Sequence, residues 1–310
     1  MTPRRIGSTD LEVFPLCLGG NVFGWTCTEA DSFDVLDAYA AAGGNIIDTA
    51  DAYASWVPGN TGGESETIIG KWMRSRGNRH RTIVATKVGL WAAHKGLAPA
   101  TIRAAVDGSL KRLGTDYIDL YYAHTDDRET PLEDTLRAFD DAVRAGKVRH
   151  IAASNYTAPR LSEALAISKR EGLASYAAVQ PNYNLVHRGD YEGALRDACA
   201  RTGLSCLPYF ALASGFLTGK YRRGTVESAR SEMVGKYQTP EGERVLDALE
   251  RVAAAHGTTM SAVALAWLCA DETIAAPIAS ARTPAQLADL LPSVELRLTL
   301  DELALLTGRG

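Results

Sequence analysis

Several short apolar runs in this chain end on a side chain capable of acid–base or hydrogen-bond chemistry. Asp48 follows Ile46-Ile47, Lys87 follows Ile83-Val84-Ala85-Thr86, and His124 follows Leu120-Tyr121-Tyr122-Ala123. Ser154-Asn155, Gln180 and Tyr209 close further runs, and Tyr53 lies shortly beyond Asp48. A buried parallel strand is apolar, so the polar residues at its end are the informative ones. Singly, a Lys or His there reads as a solvated terminus, and Asp48 as a turn or cap residue. Gathered at one face, the set is harder to read that way. Asp, Tyr, Lys and His together suit the reduction of a carbonyl. A free phenol has a pKa of about 10 and is a poor acid. A Lys ammonium beside it lowers that value, and an Asp keeps the Lys charged and oriented. The Tyr can then give its proton to a carbonyl oxygen as a hydride reaches the carbon. A His at the same oxygen orients it through a hydrogen bond. A competing reading makes Lys87 a Schiff-base nucleophile, which leaves Asp48 and Tyr53 without a purpose.

Such residues need a frame that brings strand ends together. Runs rich in Val, Ile and Leu alternate with longer amphipathic stretches, the pattern of βα units around a parallel sheet. Eight strands are predicted: Leu16–Gly20, Asn45–Ala50, Thr82–Lys87, Tyr117–Ala123, Arg149–Ser154, Tyr176–Gln180, Leu204–Tyr209 and Ile274–Ala279. Thr130-Pro131-Leu132-Glu133 reads as a helix start with a capping box, and Thr283-Pro284-Ala285-Gln286 reads the same way. Leu132, Leu136, Phe139 and Val143 follow at helical spacing up to Gly146. The connection after Tyr209 is the longest. Its first part, Ala213–Gly242, is polar, rich in Gly and Arg and without clear period, as in a functional lid. Arg4–Val13 reads as a β-hairpin that could plug a barrel floor. Eight βα units close in about 250 residues. The chain has 310, and these additions account for the surplus. The expectation is one catalytic domain over residues 1–310. It is an α/β, (β/α)8 TIM barrel with an N-terminal β-hairpin, a long loop after strand 7 and a C-terminal helical extension. A doubly wound open sheet is the alternative, but no G-x-G-x-x-G follows the first strand. Gly19-Gly20-Asn21-Val22-Phe23-Gly24 has the wrong spacing.

Composition narrows the partners. Lys+Arg is 33 and Asp+Glu is 37, so 33 − 37 gives a net charge of −4. That balance offers little to phosphate backbones or anionic membranes, so neither nucleic acid nor membrane is an expected partner. The five cysteines form no C-x-x-C, which disfavours a disulfide framework and a zinc knuckle. The histidines outside the strand ends show no metal-ligand spacing, and no metal is expected. No apolar segment has membrane-spanning length. Arg4-Arg5 is followed by Gly7-Ser8-Thr9-Asp10 where a twin-arginine signal needs an apolar stretch. A soluble, cytoplasmic protein acting on a small molecule is expected, its oligomeric state left open.

Certain segments then stand out together. They are Ile47-Asp48-Thr49-Ala50 with Tyr53, Ala85-Thr86-Lys87-Val88-Gly89, and Leu110-Lys111-Arg112-Leu113-Gly114-Thr115-Asp116-Tyr117-Ile118-Asp119-Leu120-Tyr121 with His124. Ser154-Asn155-Tyr156 and Gln180-Pro181-Asn182-Tyr183-Asn184 complete the set. In order and spacing the chain resembles the aldo-keto reductase superfamily over almost its whole length. The resemblance implies a (β/α)8 fold, a nicotinamide cofactor held without a Rossmann domain, and NADPH-dependent reduction of aldehydes or ketones. It makes Tyr53 the general acid, Lys87 and Asp48 its tuning pair, and His124 the residue that orients the carbonyl. Ser154, Asn155 and Gln180 would hydrogen-bond the nicotinamide amide, with Tyr209 stacked on the ring. Leu212, Ser214, Gly215, Leu217 and Lys220 would hold the pyrophosphate. Ser280, Arg282 and Gln286 would meet the adenosine end, Arg282 supplying the charge for a 2′-phosphate.

The chain also departs from the members of the family it resembles. Gly19-Gly20-Asn21 stands where they often have Gly-Thr, and Asp289-Leu290 where they often have Glu-Asn. The first change loses a hydroxyl, and Leu290 cannot hydrogen-bond adenine. Trp25, Trp56 and Trp91 fall in the loops after the first three strands. They could wall an apolar or aromatic substrate pocket, or pack within their own loops. A second reading is a catalytically poor, nucleotide-sensing subunit, as in the potassium-channel β-subunits that resemble this superfamily. Turnover distinguishes the two.

Overall fold

The computed structural model describes residues 2–222 and 231–308. An antiparallel hairpin, β1 (Arg4–Arg5) with β2 (Glu12–Val13), opens the chain. Eight parallel strands follow: β3 (Cys17–Gly19), β4 (Ile46–Asp48), β5 (Ile83–Val88), β6 (Ile118–Ala123), β7 (Val148–Ser154), β8 (Tyr176–Gln180), β9 (Ser205–Cys206) and β10 (Ile278–Ala279). They lie side by side in chain order, with β10 returning beside β3. Backbone bonds close the ring. Cys206 N–H donates to the Thr273 carbonyl at 2.7 Å, Ala275 N–H to the Cys206 carbonyl at 2.9 Å, and Cys17 N–H to the Pro277 carbonyl at 2.9 Å. This is a (β/α)8 barrel.

Period-2 alternation decides what the barrel interior receives. Ile46, Ala85, Leu120, Ala152 and Ala178 pack inside with Ile6, Leu11 and Val13 of the hairpin region, which fills the floor. Ile47, Val84, Tyr121, Ile151 and Val179 face outward, into the larger core shared with the helices. Two residues beyond Ile46, Ala85 and Ala178 the same inward face carries Asp48, Lys87 and Gln180. The alternation that builds the core therefore delivers the polar set to the mouth. At the floor, Asp10 in the hairpin accepts from Arg149 at 2.5 Å and lies 2.8 Å from His150 Nε2. Buried Asp119 binds Arg149 and Arg79, each at 2.8 Å, and ties that floor to the sheet.

The helices that lead from one strand to the next are α1 (Glu29–Ala41), α2 (Glu64–Arg76), α3 (Pro99–Leu113), α4 (Leu132–Arg144), α5 (Ala158–Glu171) and α6 (Ala194–Thr202). The capping box expected at Thr130 does not form. Pro131 is the N-cap residue of α4, without a side-chain bond, because Thr130 Oγ1 donates to Asp127 Oδ2 at 2.7 Å. After β9, Ala213–Thr218 forms a tight 3₁₀ coil, and α7 (Ser231–Val234) and the Gly235–Tyr237 turn precede α8 (Pro240–His256). The predicted irregular stretch thus ends before Gly242, with Thr239 capping α8 through Gly242 N–H. Residues 223–230 of that stretch lie outside the described residues. Helix α9 (Met260–Cys269) is buried from Ser261 to its end. Before the C-terminal extension, α11 (Leu300–Leu306), comes α10 (Pro284–Ala288). Thr283 caps α10 as expected, but Gln286 Oε1 accepts from Arg282 N–H at 2.9 Å instead of returning to Thr283. No single described helix is long and apolar enough to cross a membrane.

Candidate active site

Lys87 is fully buried at the inner end of β5, and its ammonium has three partners at the mouth. Its Nζ donates to Asp48 Oδ2 at 2.7 Å, to the Thr49 carbonyl at 2.7 Å, and to the Tyr53 hydroxyl at 3.0 Å. The Tyr53 hydroxyl in turn donates to Asp48 Oδ2 at 3.3 Å. The other carboxylate oxygen, Oδ1, accepts from Gln180 Nε2 at 2.8 Å. Strand β4 ends at Asp48, and the chain bends through Thr49–Ala52 so that half-buried Tyr53 returns over the same mouth. Ala54, directly after it, has φ +68°. The other non-glycine residues in the left-handed region among those described are Asn155, Phe210, Ala213 and Ser214. All sit beside candidate site residues, where backbone strain tends to concentrate.

The electrostatics differ from the simple expectation for Tyr53. Burial pushes its phenol well above the ordinary range, and the Asp48 charge adds to the effect. The Lys87 ammonium, which also donates to Asp48 and the Thr49 carbonyl, does not offset this. Tyr53 therefore keeps its proton. His124 faces it, ring centroids 6.1 Å apart. Burial, then the Lys87 charge, push the imidazole well below its usual pKa, so it is neutral. His124 Nδ1 is buried without a hydrogen-bond partner among the described residues. A bare ring nitrogen tolerates that better than a buried N–H, which leaves the proton on Nε2. The site thus offers one proton donor and one neutral hydrogen-bond donor on either side of a common point.

Around this centre, Ser154 Oγ donates to the Gln180 carbonyl at 2.9 Å, and Asn155 Nδ2 donates to the His124 carbonyl at 3.0 Å and to Ser154 Oγ at 3.1 Å. Tyr209 OH donates to Asn155 Oδ1 at 2.9 Å and so fixes its ring beside the mouth. These residues come together as the sequence reading expects, but Ser154 is occupied within the protein. Along the coil after Tyr209, Ala213, Ser214 and Gly215 are left-handed in succession, and Leu212 accepts from Gly215 N–H at 2.8 Å. A Cβ on Gly215 would lie 3.3 Å from Lys220 Nζ, so the bare backbone lets this ammonium approach the coil. Leu217 is buried in the core behind it. Arg222 is engaged by Glu243, Asp247 and Glu250 of α8.

On the far side, Ser280 Oγ donates to Asn21 Oδ1 at 2.6 Å. Asn21, read as a lost hydroxyl, is therefore part of the rim. Exposed Arg282 makes no ion pair among the described residues, whereas Leu290 is buried in the core. Trp25 and Trp56 meet edge to face at 5.6 Å, and Trp56 meets the Tyr53 ring at 6.2 Å. Trp91 is held elsewhere: Nε1 donates to the Thr61 carbonyl at 3.0 Å, and Arg112 covers its ring. It packs against the loop after β4 and against α3, contacts that neither reading open to it named.

Two contributors escaped the sequence reading. The Thr49 carbonyl has no side-chain signature. Tyr122, inward-facing two residues before His124, lies with its ring 6.0 Å from Lys87 Nζ, and its parity along β6 was the available signal.

The aldo/keto reductase family model matches residues 15–308. The chain belongs to the aldo/keto reductase family. Protein tas of Escherichia coli is 33% identical over 98% of this chain and 96% of its own length. An uncharacterized oxidoreductase of Bacillus subtilis, YrpG, is 34% identical over 97% and 93%. A putative voltage-gated potassium channel subunit beta of Schizosaccharomyces pombe is 31% identical over 94% and 88%. As an aldo/keto reductase family member the protein is an oxidoreductase on a barrel of this type. At the mouth of that barrel, Asp48, Lys87 and Tyr53 form one hydrogen-bonded chain.

Proposed function

We propose that this protein reduces an aldehyde or ketone to the alcohol, with NADPH as cofactor. The observation that carries the reading is the 3.0 Å contact between Lys87 Nζ and the Tyr53 hydroxyl, with neutral His124 opposite. The groups present suit a nicotinamide dinucleotide. Asn155 Oδ1 and Gln180 Oε1 are acceptors for its primary amide, the Tyr209 ring offers a stacking face, and Lys220 over Gly215 suits its pyrophosphate. When bound, the cofactor supplies the hydride. Tyr53 and His124 Nε2 hold the carbonyl oxygen between them, and His124 orients it without giving up a proton. As the carbon gains the hydride, the oxygen becomes a stronger base than a phenolate, so even the firmly held Tyr53 proton moves to it. Lys87, held in place by Asp48, stabilises the phenolate left behind.

Trp25 and Trp56 supply an apolar wall for the substrate. The five free, buried cysteines suit a reducing cytoplasm. A carbonyl panel followed by NADPH absorbance tests the reading, with steady oxidation expected for a simple aromatic aldehyde. Tight NADPH binding with no turnover across the panel would overturn it. It would favour a nucleotide-sensing role instead, which the similarity to a channel β-subunit brings forward.

A further inference from the structure

We propose that Gln180 is a positioning residue, coupling cofactor occupancy to the Asp48–Lys87–Tyr53 chain. The inference rests on the reading that a nicotinamide amide sits at this mouth. Gln180 closes β8 on the inward face and is 2% exposed. Its Nε2 donates to Asp48 Oδ1 at 2.8 Å. The orientation of the amide is fixed by chemistry, because a carboxylate paired with Lys87 can only accept, so the NH₂ end must face it. The opposite end, Oε1, accepts no hydrogen bond from a described residue. It is an acceptor, and a primary amide is the donor that matches it.

Asp48 divides its work between two oxygens. Oδ1 serves Gln180, while Oδ2 serves Lys87 and accepts the Tyr53 hydroxyl. In this arrangement the Tyr53 proton points at Asp48 and away from a substrate. A donor arriving at Gln180 Oε1 polarises the amide and strengthens the bond from Nε2 to Oδ1. Carboxylate charge is drawn toward Oδ1, the hold of Oδ2 on the phenol weakens, and the Tyr53 proton is free to turn toward the carbonyl. Gln180 thus links an occupied cofactor site to a released proton without touching the reacting atoms.

NADPH dissociation constants, read by fluorescence titration, test this in wild type, Gln180→Met, Asp48→Asn and the double variant. With coupling, the double variant loses at least about fivefold less affinity than the product of the single losses. Gln180→Glu keeps shape and an acceptor oxygen but loses the amide donor, and it replaces Gln180→Met in the cycle should that variant not fold. At saturating NADPH, Gln180→Glu lowers the hydride-transfer rate by about tenfold and displaces its pH profile. Losses that multiply, with an unchanged rate and profile in Gln180→Glu, would reduce Gln180 to a cofactor contact and overturn the proposal alone. A wild-type protein that binds no NADPH would overturn the proposed function along with it.

Discussion

A lysine ammonium 3.0 Å from a phenol ordinarily favours the phenolate, yet Tyr53 stays protonated. The types and spacing of Asp48, Tyr53, Lys87 and His124 make the site readable from sequence, because strand parity carries Asp48 and Lys87 inward. The balance of charges was not readable. It depends on the burial of the phenol and on the Asp48 charge beside it, which only the fold reveals. Arg282 is the complementary case: an exposed guanidinium without an ion pair among the described residues, next to the Ser280–Asn21 rim. If it holds the 2′-phosphate, Arg282→Ala weakens NADPH binding about ten- to hundredfold, from charged hydrogen bonds of roughly 1.5–3 kcal/mol each. NADH affinity stays near wild type. An unchanged NADPH/NADH ratio of dissociation constants would assign the phosphate to another group.

Among the elements, strands and most helices follow from periodicity, and their boundaries shift by few residues. β9 and β10 are shorter than their apolar runs, although ladder bonds continue beyond them: Leu207 N–H donates to the Val179 carbonyl and Ala275 N–H to the Cys206 carbonyl, each at 2.9 Å. The missing box at Thr130 shows why cap motifs mislead: Asp127, three residues upstream, takes the hydroxyl first. The coil after Tyr209 has no period to read, since left-handed residues and single contacts such as Lys220 over Gly215 set its course. Arg222, bound to Glu243, Asp247 and Glu250, fastens this strap to α8. With NADPH bound, Ala213–Arg222 is expected to gain protection in amide hydrogen exchange, and its opening to limit cofactor release. Equal exchange with and without NADPH would remove the strap from the account.

For the whole molecule, stability should carry the mark of a buried acid that the chemistry does not use. Asp51 is fully buried and neither carboxyl oxygen has a hydrogen-bond partner among the described residues. Burial, then the charge of Glu66, push its pKa up to about 8, against a partial offset from Arg112. Glu66 itself is satisfied by Thr86 and Arg112, each at 2.6 Å. The folded state therefore holds a proton that the unfolded chain, with a pKa of about 3.9, releases. This contribution is fully present below about pH 4 and is lost as pH rises to about 8. Asp51→Asn keeps the shape without the titration. Its melting temperature, measured against wild type, should gain on the order of 5 °C more at pH 8 than at pH 5. A constant difference across that range would mean that Asp51 is ionised throughout.

The central claim is that Tyr53 gives the proton that completes carbonyl reduction at this barrel mouth. It is tested most directly by Tyr53→Phe, measured for NADPH-dependent turnover of a carbonyl accepted by the wild type, with the NADPH dissociation constant determined on the same preparation. The account predicts a rate lower by about 10²–10⁴-fold or more, with cofactor affinity nearly intact. Retention of more than about a tenth of the wild-type rate would contradict it.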